Sequence, residues 1–271
     1  MQRRTFIRNA ALAGGMMAVA PVAACSQGIS NDDFPLMDLH VHLSRSLTIE
    51  NLMELSKANN MLFGVVENPG GNVHDDETLR AYIEMLRPYP VYIGLQPMIP
   101  GWTESFSPEA IAELDYVLMD PQTVPYGNRF DETLRIWNFD TYVDDTEFFM
   151  EAYMNRYLEV INNNEPLTTL GWPLFLPVCI ARDYYKLWTK ERMKTIIDAV
   201  KNRKLNIEIN DLAHTPHEEF ILMAKKEGIK FTFGSDTRDN KAGRLSYCKE
   251  IAKKCKLTRE DFYIPDRVLP A

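Results

Sequence analysis

Two histidines stand one residue apart at the end of an apolar run near the start of the chain. They are His40 and His42 in LMDLHVHL (36–43). Because alternate side chains of a β-strand point to the same face, both imidazoles can face one metal ion. Asp236 ends a second apolar run, KFTFGSD (230–236). Two imidazoles and one carboxylate suit Zn²⁺, Mn²⁺ or Fe²⁺, so the pattern predicts a metal site if the fold brings the two runs together.

The rest of the chain indicates how these runs are positioned. From residue 34 onward, short apolar runs alternate with stretches of helical spacing, which is typical of βα units and a parallel sheet. Such a sheet is either closed as a barrel or open and doubly wound, and the absence of GxGxxG after the first run disfavours a dinucleotide-binding fold. If seven strands close into a barrel, the last lies beside the first, and Asp236 lies next to the histidine pair. The predicted strands are 36–43, 62–68, 91–98, 115–120, 169–178, 206–210 and 230–236.

Polar residues also end other predicted strands, and a parallel barrel carries its chemistry at those ends. Glu67 and Asn68 end the second strand, and Glu208 lies near the end of the sixth. Either glutamate has the chemistry of a general base for hydrolysis. Arg238 follows Asp236 by two residues and carries a fixed positive charge that can bind anionic oxygens. The alternative for Arg238 is an ordinary salt bridge with Asp236.

Three stretches of the chain resemble a known family, the PHP (polymerase and histidinol phosphatase) superfamily. They are MDLHVHL, the closing GIKFTFGSDTR, and IEIN followed by PHEEFILMAKKEG. The resemblance covers most of residues 36 to 265. It implies a distorted, TIM-like barrel of seven βα units, which agrees with the units counted above. It also implies hydrolysis of phosphoesters by a cluster of up to three metal ions.

The chain departs from the family's pattern at several ligand positions. Only His40, His42 and Asp236 are retained, so the resemblance implies at most one divalent ion (Zn, Mn or Fe), or none at all. The substituted positions become candidates for substrate contact, and Trp172 could instead fill the barrel core. Arg238 replaces the last histidine of the closing motif, and Asn68 replaces a ligand histidine. Gln96 replaces a bridging glutamate, Gln122 replaces the histidine after the fourth strand, and Trp172 replaces the histidine in GHP.

These features favour a metal-dependent hydrolase acting on a small phosphorylated or related ester, with Arg238 and Glu67 or Glu208 as catalytic residues. One alternative is a barrel that has lost catalysis and binds a small molecule such as a sugar or an anion. Another is an amidohydrolase, whose first strand also carries HxH, although that family generally needs eight strands and further histidines or a lysine. The aromatic-rich segment 121–145 is longer than an ordinary βα loop, and we expect it to lie over the mouth as a lid.

The remaining features concern partners and location. The chain has 271 residues and a formal net charge of -8, which argues against nucleic acid as a partner. Residues 1–25 have the pattern of an export signal, with RRTFIR similar to a twin-arginine motif and VAAC similar to a lipobox that ends at Cys25. The sequence thus predicts lipidation of Cys25, a tether at 26–33 and a barrel domain at 34–271. We expect an exported cell-envelope protein that contacts the membrane through this anchor only; the alternative is a buried N-terminal helix.

Overall fold

The computed structural model describes residues 34–127 and 133–270. The predicted signal, lipidation site Cys25 and tether lie outside these residues and stay predictions. Among the residues described, no helix is both long enough and apolar enough to cross a bilayer.

Seven parallel strands form one sheet that curls into a barrel, which confirms the predicted fold class. The first and last strands meet through a parallel bridge between Val41 and Thr237, where His42 N donates to Thr237 O at 2.9 Å. Ser235 N also donates to the buried Asp38 carboxylate at 2.9 Å, which ties these two strands together. The strands, in spatial order, are β1 (Met37–Val41), β2 (Leu62–Glu67), β3 (Val91–Leu95), β4 (Tyr116–Met119), β7 (Thr169–Leu170), β8 (Asn206–Asn210) and β9 (Phe231–Gly234).

Helices occupy most of the connections and cover the outside of the barrel. Two side chains act as N-caps, since Thr48 Oγ1 accepts from Asn51 N at 3.3 Å and Ser107 Oγ accepts from Ala110 N at 3.2 Å. The helices are α1 (Ile49–Asn59), α2 (Asp76–Leu86), α3 (Pro108–Ile111), α4 (Thr146–Asn162), α5 (Tyr184–Leu187), α6 (Lys190–Asn202), α7 (Glu218–Lys226) and α8 (Ser246–Lys254).

Side chains alternate between two apolar layers along the strands, as the period of a β-strand requires. Val65 of β2 and Ile93 of β3 belong to the large layer between sheet and helices. Val66 and Tyr92, one residue away, belong to a smaller cluster inside the barrel. Tyr116 also lies in that inner cluster, and its hydroxyl donates to Leu39 O at 2.7 Å. The inner face is apolar at this depth and becomes polar toward the carboxyl ends of the strands.

The fifth predicted strand is much shorter than the sequence suggested. Residues 169–178 were expected to be extended, but only Thr169 and Leu170 form β7. Trp172 and Leu174 have φ of 43° and 63°, in the left-handed region, with Pro173 between them. The backbone therefore turns away from the sheet after Gly171. The run is apolar because Leu174 is buried in the outer layer, and not because it is a strand.

The segment 121–145 begins as a packed hairpin. Its strands β5 (Thr123–Pro125) and β6 (Thr133–Arg135) pair antiparallel. Val124 and Ile136 are fully buried, whereas Phe139 and Tyr142 are exposed. The segment starts at the carboxyl end of β4, but its closure over the mouth as a lid stays a prediction.

Candidate metal site

The predicted ligands meet at the carboxyl ends of β1 and β9. Nε2 of His40 and Nε2 of His42 each lie 3.4 Å from Oδ1 of Asp236. One potential ligand atom from each of the three residues lies within 4.8 Å of the other two. Asp236 is almost 200 positions from the two histidines in the chain, and closure of the barrel brings it next to them.

The three side chains fit a divalent ion. His40 and His42 are buried, and the Asp236 side chain is only 10% exposed. Neither imidazole Nε2 has a hydrogen-bond partner among the residues described, and a buried polar atom without a partner is costly. A metal ion between the two nitrogens and the carboxylate would satisfy both, and the N₂O donor set suits Zn²⁺, Mn²⁺ or Fe²⁺. His40, His42 and Asp236 are thus a group that can hold one metal ion.

Glu208 positions His40 from the far side of the ring. Its Oε1 lies 2.6 Å from His40 Nδ1, and both side chains are fully buried. A carboxylate accepts from Nδ1–H, so Nε2 is the nitrogen left to face Asp236 and a metal ion, which is how metal-binding histidines are commonly oriented. The other oxygen, Oε2, accepts from the backbone N of Trp172 at 2.8 Å. Both oxygens are therefore engaged within the protein, which favours a positioning role for Glu208 over the general-base role inferred from sequence.

Gly234 allows this close approach of β8 and β1. A Cβ at this position would lie 1.9 Å from Glu208 Oε1 and 2.7 Å from the Cβ of His40. No side chain larger than hydrogen fits without moving the Glu208–His40 pair.

The charges around the site produce opposite shifts on the two histidines. Burial lowers the pKa of His42 to about 4, and the positive charges of His40 and Arg238 act in the same direction. Burial alone would lower the pKa of His40, but the negative charges of Glu208 and Asp236 outweigh it and raise the pKa to about 10. Burial of Asp236 is likewise outweighed, chiefly by the charge of His40, so its pKa lies well below the usual range. Without metal, a proton on His40 therefore balances the carboxylates, and metal uptake must displace it.

Arg238 reaches the site from solvent. Its side chain is half exposed, and Nη1 donates to Asp236 Oδ1 at 2.9 Å. The backbone of Arg238 is held in turn by Ser44, whose Oγ donates to Arg238 O at 2.7 Å. The salt bridge with Asp236 is thus formed, and because the Arg238 side chain is half exposed, its other N–H groups can meet an anion.

Three of the predicted substrate contacts line one side of the inner face. Asn68 Nδ2 donates to Gln96 Oε1 at 3.1 Å, and Gln96 Nε2 donates to Asp120 Oδ2 at 3.0 Å. Gln122 N donates to the other Asp120 oxygen at 3.1 Å, while its side-chain Nε2 is buried without a partner among the residues described. Gln96 and Gln122 are nearly inaccessible in this structure, so their contact with a substrate stays a prediction.

Asp120 is a site residue that the sequence reasoning missed. It is 1% exposed, and burial raises the pKa of its carboxyl to about 7. The available signal was its position directly after the fourth apolar run, the same position that Asp236 has after the last. Asp38, an acid inside the apolar run of β1, was also missed. Its carboxylate accepts from the backbone N of Ser235 and of Gly243.

Glu67 and Trp172 lie less favourably than predicted. Glu67 has the strand parity of Val65, which packs toward the helices, and its Oε1 accepts from Asn68 N at 3.1 Å. It is therefore poorly placed to act as a base inside the mouth. Trp172 is 7% exposed, and its ring packs edge-on against Phe175 with centroids 5.0 Å apart. This packing is closer to the alternative in which Trp172 fills space than to an open stacking surface.

Comparison with known proteins shows the fold. No protein-family model matches the chain, and no curated protein matches it either. Among solved structures, the histidinol phosphate phosphatase from Lactococcus lactis subsp. lactis Il1403, complexed with zinc, L-histidinol and phosphate, matches with a TM-score of 0.52 and 19% identity. That match covers 84% of this chain and 94% of the phosphatase. An archaeal ribonuclease P solved with mature tRNA matches at a TM-score of 0.39 and 12% identity, covering 81% and 89% of the two chains, which is too distant to support an argument.

Proposed function

We propose that this protein is a metal-dependent phosphoester hydrolase that uses one divalent ion on His40, His42 and Asp236. The observation that carries the proposal is the pair of buried, unpartnered imidazole nitrogens facing one carboxylate oxygen. They lie at the carboxyl ends of barrel strands, where such barrels carry their chemistry. The fold shared with a zinc-containing phosphatase supports the same class of reaction.

The residues around the ligands have separate roles in this proposal. A bound divalent ion would polarise a phosphoryl oxygen and lower the pKa of a water molecule. Glu208 holds His40 in the orientation that presents Nε2. Arg238 uses its outward N–H groups to bind the phosphoryl oxygens, because a guanidinium suits that planar, bidentate contact. A small phosphorylated molecule is the substrate class that these groups favour, and phosphate is also bound in the related structure.

The strongest rival function is a metal-free binding protein. It is favoured by one contact, the 2.9 Å bond from Arg238 to Asp236, which places a fixed positive charge against a metal ligand. An amidohydrolase is supported less well, because the barrel has seven strands and no lysine directly follows any of the barrel strands described.

The deciding experiment measures metal content and hydrolysis together. Protein purified without chelator should contain about one equivalent of metal and hydrolyse p-nitrophenyl phosphate, since the three side chains would hold one ion. His42→Ala should lose both properties, whereas Trp172→Ala should keep the metal. His74→Ala, which changes a half-exposed histidine elsewhere, is the matched control.

Two other outcomes would change the assignment. Two or three equivalents of metal would mean that further ligands exist and that the single-ion site is wrong. No metal together with no hydrolysis would favour the binding protein.

We also propose that the chain is exported and held at the membrane by a lipid on Cys25. The supporting pattern is the twin-arginine stretch followed by the apolar segment and VAAC. Cys25→Ala should release folded protein from the membrane fraction. If the variant stays in that fraction after a wash at high salt, the segment is a retained anchor and the lipobox interpretation is wrong.

A further inference from the structure

A cavity of about 640 Å³ lies between the loops that follow β7 and β8 and the helices α7 and α8. This volume is in the range of small-molecule sites. None of the three metal-ligand candidates lines it. Its aromatic lining comes from both loops and from α8: Phe175, Tyr184, Tyr185, His214, His217 and Tyr247.

The rings form two clusters in the wall. Tyr184, Tyr185 and His217 contact one another edge to face, with centroids 5.2 to 5.4 Å apart. His214 lies parallel to Tyr247, with centroids 4.9 Å apart and planes within 4°. Rings from separate elements are therefore held together around one space.

Two of the tyrosine hydroxyls are already used inside the protein. Tyr184 Oη lies 3.2 Å from His217 Nδ1, and Tyr247 Oη donates to Pro216 O at 2.7 Å. These bonds fix the rings, so the surfaces left for a ligand are mainly ring faces and edges. The face of an aromatic ring carries a partial negative charge and attracts cations.

The charged groups of the wall favour a cation as well. Glu218 pairs with Lys254 at 2.7 Å, and Glu219 pairs with Lys190 at 3.0 Å. Glu250, on α8 one turn after Tyr247, lines the same cavity, and Lys254, the one lysine in that lining, is paired with Glu218 and also interacts with Glu250. The lining therefore carries three glutamates against one lysine. Burial lowers the pKa of His217, so its imidazole is neutral near pH 7 and does not repel a positive ligand.

We propose that this cavity is a second binding site, which takes a small organic cation such as a substituted ammonium. The aromatic faces would surround the apolar groups of the cation, and Glu250 would supply the compensating negative charge. Occupancy does not depend on the metal site, so the proposal stands apart from the hydrolase activity.

The test compares two probes of the same shape. Choline carries a quaternary ammonium, and 3,3-dimethyl-1-butanol replaces its nitrogen by carbon and is neutral. Calorimetric titration of the full chain should give a dissociation constant of about 1–10 mM for choline, and binding of the neutral analogue should be at least about fivefold weaker. The same values are expected after metal removal by chelator and in His42→Ala, which separates this site from the proposed active site.

Variants locate the binding. Tyr247→Leu and Glu250→Gln should each weaken choline binding by about fivefold or more, whereas Tyr247→Phe keeps the ring and should stay within about twofold of the parent. Tyr142→Leu and Glu260→Gln change a comparable aromatic ring and acid outside the cavity and should have no effect. Circular dichroism of each variant establishes that it is folded.

Three results of the choline experiments would overturn the proposal. They are equal binding of the two probes, choline binding that is unchanged in folded Tyr247→Leu and Glu250→Gln, and no detectable choline binding. Binding of glucose in preference to choline would also overturn it and indicate a sugar site.

Discussion

Arg238 donates a hydrogen bond to Oδ1 of Asp236 at 2.9 Å, and both imidazole Nε2 atoms of His40 and His42 approach this same oxygen at 3.4 Å. The guanidinium and a metal ion would therefore compete for one carboxylate. Like charges at this distance repel, although exposure of the arginine to solvent weakens the effect. Because half of the Arg238 side chain is exposed, it can turn outward and meet a phosphoryl group when metal is bound.

Removal of Arg238 should separate its effect on the metal from its effect on the substrate. In Arg238→Ala we expect tighter metal binding by about threefold or more, because a repulsive charge is lost. Inhibition by inorganic phosphate should weaken by about tenfold, because a charge-assisted contact is lost. Metal titration and phosphate inhibition of p-nitrophenyl phosphate hydrolysis measure the two effects. Arg244→Ala, an exposed arginine nearby in sequence, is the control, and a loss of metal affinity in Arg238→Ala would contradict the assignment.

The carboxylate of Glu208 should matter for metal affinity without being a ligand. In Glu208→Gln the partner of His40 Nδ1 loses its charge, so the imidazole becomes a weaker and less well oriented ligand. Changes of this kind typically cost 10- to 100-fold in metal affinity, and we expect a loss of about that size. Asp115→Asn, which changes a mostly buried acid at the opposite end of β4, where it pairs with Arg267 at 3.2 Å, should stay within about threefold of the parent. Equal affinity in Glu208→Gln and the parent would show that the 2.6 Å contact does not position His40 for metal.

The parts of this site that could be read from sequence are those that depend on strand period and barrel closure. The spacing of His40 and His42 placed both rings on one face, and closure of the barrel brought Asp236 to them. The role of Glu208 could not be predicted, because its contact with His40 depends on how closely β8 approaches β1 across β9, which the order of the strands does not give. Glu67 was predicted to line the mouth because it lies at the end of its strand. Alternate side chains of a strand point to opposite faces, however, and Glu67 lies on the face toward the helices.

Two further differences have local physical causes. The predicted strand at 169–178 was inferred from apolar content, which does not distinguish a strand from a buried turn. The left-handed conformations of Trp172 and Leu174 decide between them, and neither residue type signals such a conformation. Asp120 was not predicted because the resemblance to the PHP superfamily places the ligand position at Gln122, two residues later.

The small size of residue 234 should be necessary for the site. Gly234→Ala places a methyl group where Glu208 Oε1 now lies, so the Glu208–His40 contact must open. We expect loss of metal binding and a decrease of about 1–3 kcal/mol in the free energy of unfolding, as for other overpacked interiors. Gly71→Ala is the control, because its added Cβ would meet no atom within 4 Å. Urea denaturation and metal titration measure the two effects, and full metal affinity in Gly234→Ala would contradict this explanation.

Asp120 should make stability depend on pH in the metal-free protein. Burial raises its pKa to about 7, whereas an aspartate in the unfolded chain titrates near about 3.9. The folded protein therefore holds this proton more tightly than the unfolded chain does. Between these two pKa values, the contribution of Asp120 to the free energy of unfolding decreases as the pH rises, and it is lost once the pH exceeds about 7.

Replacement of Asp120 by asparagine isolates this contribution, because an amide does not titrate. Between pH 5 and pH 8, we expect the stability of Asp120→Asn relative to the parent to increase by about 2 kcal/mol. Asp38, whose pKa burial raises to about 6, contributes with the same sign but is present in both proteins and cancels. Urea denaturation with chelator at the two pH values measures the difference, and Asp140→Asn on the exposed surface should show none. If the stability difference between Asp120→Asn and the parent is the same at pH 5 and pH 8, Asp120 is already ionised in the folded protein, and the network through Gln96 binds a carboxylate.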